Sequence, residues 1–153
     1  MLALAGGSAA LLSPGLTRAK LTSSGREIFA AVARGALEGA LPQDAGARAS
    51  SIAGLVDRID ALIATLPPHV QDELAQLLSL LASAPGRIAF ADLRPTWSAA
   101  TAAQVQASLH SMRTSSIALR QQAFLALPEI VGAAYFSEPS TWSLLGYPGP
   151  VAI

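Results

Sequence analysis

The chain has 153 residues, a length that predicts one domain, and 52% of them are hydrophobic against 13% charged, which excludes an intrinsically disordered chain. Ten basic residues balance ten acidic ones, so the formal net charge is zero and the electrostatic footprint that nucleic acid or an anionic membrane surface requires is absent. With no cysteine, disulfides, thiolate zinc sites, iron–sulfur clusters and cysteine nucleophiles are ruled out, and two histidines, His69 and His110, leave little room for metal chemistry.

A chain this apolar has too little polar surface to cover a lone globule, so its composition points to a covering partner or to removal of an apolar segment. Residues 1–19 read as that segment. MLALAGGSAALLSPGLT carries no charge, its apolar stretch has the length of a signal-peptide core rather than of a membrane span, and Thr17-Arg18-Ala19 offers small residues for cleavage after Ala19. The moderately hydrophobic LALAGGSAALL resembles the middle of a twin-arginine export signal, without the paired arginines.

From Thr22 to Leu145 the periodicity is helical and no alternating run is long enough for a strand, so residues 20–146 are expected to form an all-α, single-domain bundle of about five helices, followed by a short C-terminal helix. A first helix opens at Thr22 or Ser23, with Glu27 in its first turn, and buries Ile28, Phe29, Val32, Ala36 and Leu37 before Gly39 and Pro42 end it. The clearest stripe is Ile52, Leu55, Val56, Ile59, Leu62, Ile63 and Leu66, with Asp57, Arg58 and Asp60 on the wet face. After Pro67-Pro68 a third helix, Val70 to about Ser83, buries Leu74, Leu77, Leu78 and Leu81, and Ala84-Pro85-Gly86 ends it. Residues 87–96 read as a connector. A fourth helix opens near Ser98 with Val105, Leu109 and Met112 inward; a fifth runs from Ile117 with Ile117, Phe124 and Leu127 inward and continues past a kink or restart at Pro128 to Phe136. Ser137 can cap the last short helix, Gly146 closes it, and residues 147–153 form an extended Pro/Gly-rich tail.

Chemistry-bearing patterns are few. His110 has no acidic or histidine neighbour at helical spacing, and neither histidine stands in the Glu-x-x-His spacing of di-iron bundles. Asp72 and Glu73, like Glu27, suit the positive end of a helix dipole, and Asp57 and Asp60 a solvated face. No serine has the Gly-x-Ser-x-Gly setting, and Gly6, Gly7 and Gly15 follow no strand that would make a dinucleotide fingerprint. What stands out is the end of the chain, where Tyr135, Phe136, Trp142 and Tyr147 supply half of the aromatic residues. Tyr135 and Phe136 can either plug the bundle or meet a partner. Trp142 and the stiff Tyr147-Pro148-Gly149-Pro150 segment favour a partner, because rigid aromatic segments lose little entropy on binding.

Tyr135-Phe136, Glu138-Pro139, Trp142 and Leu145-Gly146-Tyr147-Pro148-Gly149-Pro150, with the helix start at Ser115–Arg120 before them, resemble the small (gamma) subunit of membrane-associated flavin dehydrogenases, the group typified by gluconate 2-dehydrogenase subunit 3 and the small subunits of glucose, fructose and sorbitol dehydrogenases. The resemblance is best over the last third. It implies a non-catalytic subunit without a cofactor of its own, bound to a large FAD-containing subunit of the glucose–methanol–choline type and needed for that subunit's folding, stability and twin-arginine export to the periplasm. Complexes of this kind often add a multihaem cytochrome c subunit and associate with the membrane. The partner-facing residues it implies are Tyr135, Phe136, Trp142, Leu145, Gly146, Tyr147, Pro148, Gly149 and Pro150. The missing paired arginines depart from the pattern, and without cysteine no inter-subunit disulfide can form. The alternative is an independent small helical bundle that binds a cofactor or acts as an enzyme; an interfacial membrane anchor is disfavoured because Lys20 is the only lysine and the helices lack basic polar faces.

Overall fold

The computed structural model describes residues 14–148; the expected signal core before them and Gly149 and Pro150 after them lie outside the described residues. The architecture is all-α, as expected, with one small addition. Strands β1 (Leu16–Thr17) and β2 (Lys20–Leu21) pair antiparallel, and α1 (Ser23–Ala36), α2 (Ala45–Ala64), α3 (Pro68–Ala82), α4 (Ala84–Ala91), α5 (Ala102–Arg113), α6 (Ala118–Phe136) and a 3-10 helix (Pro139–Leu145) follow.

Helix α1 is the axis of the bundle and packs against α2, α3, α5 and α6. That role follows from its composition: Gly25, Ile28, Phe29, Ala31, Val32, Ala33 and Gly35 are all buried, so apolar or small residues face nearly every direction. At Gly35 an added Cβ would lie 2.8 Å from Val105 Cγ1, so glycine is what lets α5 come this close. Thr22 caps α1 by accepting from Gly25 N–H. The helix starts where expected, but Glu27 and, in α3, Asp72 and Glu73 sit in the second turn, beyond the strongest dipole effect.

The second stripe is realised in α2, with Leu55, Val56, Ile59 and Ile63 buried and Ile52, Leu62 and Leu66 partly covered. Val105, Leu109 and Met112 of α5 are buried as expected. That helix opens at Ala102 rather than near Ser98, because Thr101 and Gln104 form a reciprocal capping box. A further correction concerns residues 84–91, expected as a stop and a connector. They form α4, since Ser83 ends α3 and caps α4 by accepting from Gly86 N–H, while Pro85 occupies a first-turn position that needs no N–H donor. Helix α6 runs unbroken through Pro128, and Ile117 lies just outside it as the N-cap, 56% exposed instead of inward. Its buried row is Ala123, Leu127, Val131, Ala134 and Tyr135.

The β1–β2 hairpin was not expected. Its turn residues, Arg18 and Ala19, both have positive φ (52° and 60°), the left-handed pair that a two-residue hairpin requires. Leu16 and Leu21 are buried on either side, and the Asp60 carboxylate, expected on a wet face, accepts from Leu21 N–H at 2.7 Å. Gly15 and Gly25 pack so tightly that a Cβ on Gly25 would lie 2.0 Å from the Gly15 carbonyl oxygen, and one on Gly15 would lie 2.3 Å from Leu78 Cβ.

Arginines tie helices to loops and to one another through backbone carbonyls. Arg34 donates to Trp97 O, Arg48 to Pro42 O, Arg58 to Ala134 O, Arg87 to Leu93 O and Arg120 to Phe90 O, whereas Arg26–Asp57 and Arg58–Glu138 are the ion pairs among the described residues.

Candidate functional site

The aromatic end is assembled from the last turn of α6 and the 3-10 helix. Tyr135 and Phe136 make an edge-to-face pair, ring centroids 5.1 Å apart, yet their fates differ. Tyr135 is 3% exposed and its hydroxyl donates to Ala40 O at 2.8 Å, so its ring belongs to the core. Phe136 is half-buried, and its carbonyl accepts from the Trp142 indole N–H at 2.9 Å. Buried Thr141 anchors the turn by bonding to the carbonyls of Tyr135 and Glu138.

Trp142 is half-buried and lies 5.6 Å, centroid to centroid, from Tyr147, which is 50% exposed. The return of the chain over Trp142 depends on Gly146, whose φ of 68° ends the 3-10 helix and lets Tyr147 N–H bond to Trp142 O. Leu144 is 56% exposed on the same turn, and Pro148 is exposed beyond it. Of the expected partner-facing residues, the fold therefore presents Gly146, Tyr147 and Pro148 outward, half-covers Phe136 and Trp142 and withdraws Tyr135; Leu145 ends the 3-10 helix.

Concave surfaces lie elsewhere on the described residues, and two of them are formed between pairs of helices. One, of about 590 Å³, lies between α1 and α2 and is floored by Ala30, Ala49, Ile52 and Val56, with Arg26, Arg34 and Arg48 around it. Burial holds the Arg34 guanidinium below its ordinary pKa. The other, of about 520 Å³, runs between α3 and α6 and is lined mainly by leucine, alanine and isoleucine.

His69 is exposed at the start of α3 and His110 is exposed in α5, where Arg113 approaches its ring at 3.5 Å. Among the described residues no three His, Asp or Glu side chains gather as metal ligands would, and no single helix is long and apolar enough to cross a membrane. Sequence reasoning did not find the α3–α6 groove: Leu77 and Ile130 carry the same signal as core residues, and only the packing leaves them half-buried beside an exposed Leu119. Comparison with protein-family models, curated proteins and solved structures finds no match to this chain.

Proposed function

We propose that this chain is the non-catalytic small subunit of a flavin-dependent dehydrogenase complex, bound to a large FAD-containing subunit of the glucose–methanol–choline type and assisting its folding, export and stability. The observation that carries the reading is the Trp142–Tyr147 pair, packed together at the C-terminal end of α6 and left half-open. Buried aromatic anchors dominate interface energies, and here the indole is fixed by its own hydrogen bond before any partner arrives. The resemblance at Tyr135–Pro150 supplies the identity of the partner, and the complex would act in the periplasm, at the membrane through its other subunits, with a cytochrome c subunit where one is present.

Co-expression with the large flavin subunit tests this. A stoichiometric complex with a flavin spectrum is expected, and independent purification of two active, non-associating proteins would refute it. A second reading, an independent ligand-binding bundle, draws on the α1–α2 cleft, where Arg34 and Arg48 stand over an apolar floor. A chromophore or metal retained by the purified chain would favour it.

A further inference from the structure

The α3–α6 groove combines apolar walls with a single charged lining residue, the carboxylate of Glu73. Leu74 and Ala123 form its buried floor, Val70, Leu77 and Leu80 one wall, and Leu119 and Ile130 the other. Leu119 is 52% exposed, an unusual position for a leucine in a wall of other apolar side chains. Helix α3 contains Asp72 and Glu73 and no Lys or Arg; α6 contains Glu129 and a single Arg120. Arg120 is engaged elsewhere, donating to Phe90 O at 2.7 Å and Ser111 Oγ at 2.8 Å. Glu73 lines the groove, and Glu129 lies just outside the lining, three residues beyond Ala126 and next to Ile130 on α6; both are exposed.

We propose that this groove receives one amphipathic helix of a partner protein, with leucine-like side chains along one stripe and Lys or Arg beside them. Both walls are helices and offer no strand edge, so recognition rests on side chains seated in the groove. The walls run from Val70 to Leu80 and from Leu119 to Ile130, about 15 Å of helix each, which accommodates about three turns of a docked helix. Carboxylates at the rim select cationic flanks and reject acidic ones. The inference rests on the reading of this chain as a subunit, and it adds a second contact to the one at Trp142.

The test uses the full chain and a synthetic helical peptide of about 14 residues with a leucine stripe and flanking lysines, compared by fluorescence anisotropy with a twin carrying glutamates in place of the lysines. The basic peptide should bind about tenfold tighter, and the preference should disappear at high salt and in the Glu73→Gln, Glu129→Gln double variant. Leu119→Gln, at an exposed site, should weaken binding about tenfold or more, while Leu125→Gln, outside the groove on the same helix, should not. Equal binding of the two peptides, or binding indifferent to Leu119→Gln, would overturn the proposal. So would a dimer in sedimentation that Leu119→Gln abolishes, which would assign the groove to a second copy. The peptide assay involves no flavin subunit: peptide binding without complex formation would sink the dehydrogenase reading alone, and a complex without peptide binding would sink the groove alone.

Discussion

The Tyr135 hydroxyl donates to the Ala40 carbonyl, tying the last turn of α6 to the loop between α1 and α2 across 95 positions of sequence. The bond is the polar end of an otherwise buried ring, and it aligns the α6 terminus from which the aromatic surface springs. Tyr135→Phe keeps the ring and removes the bond, so it should lower stability by about 1 kcal/mol, read as a fall of several degrees in Tm. Tyr135→Ala should cost about 3 kcal/mol or more through the cavity it leaves. Equal effects of the two would show that the ring contributes nothing.

Gly25→Ala should destabilise by about 1–3 kcal/mol, because its Cβ would collide with the Gly15 backbone and push the hairpin off the bundle. Gly39→Ala is the control: nothing lies within 4 Å of a Cβ there, and the change should be close to neutral. Denaturant melts of both variants check the difference.

Trp142→Ala should leave the helical circular-dichroism signal nearly intact and weaken association with the flavin subunit by about tenfold or more. Truncation after Leu145, which removes Tyr147 and the residues beyond it, should act in the same direction. Loss of the whole helical signal on truncation would instead make this segment part of the core.

The paired substitution His69→Ala and His110→Ala should leave turnover per assembled complex unchanged within a few-fold, since both rings are exposed and neither belongs to a group of three His, Asp or Glu side chains among the described residues. A general base removed from a reaction costs about 10²–10⁴-fold. A loss of that size on complexes with normal flavin content would contradict the non-catalytic reading.

Long stripes were legible without the structure, short or doubly used segments were not. Seven apolar residues at helical spacing announce α2, and Val105, Leu109 and Met112 announce the inner face of α5. Helix α4 was hidden because one residue, Ser83, closes one helix and opens the next, so Ala84-Pro85-Gly86 reads as an end when it is a beginning. The hairpin was hidden because two-residue strands have no period, and Arg18-Ala19 lacks the Asn or Gly that marks a left-handed turn. At the aromatic end the residues were legible but their exposures were not: Tyr135 and Phe136 are adjacent in sequence, and helical geometry sends one ring inward and leaves the other half-covered.

The links that five arginines make to backbone carbonyls bear on how the fold meets acid. Neither a guanidinium nor a carbonyl changes protonation in the range where carboxylates and imidazoles do. Links of this kind between Arg34 and Trp97, Arg58 and Ala134, or Arg120 and Phe90 persist in an acidified medium that would dissolve a fold fastened by carboxylates. The hairpin is fastened differently, by the Asp60 carboxylate of α2 accepting from Leu21 N–H.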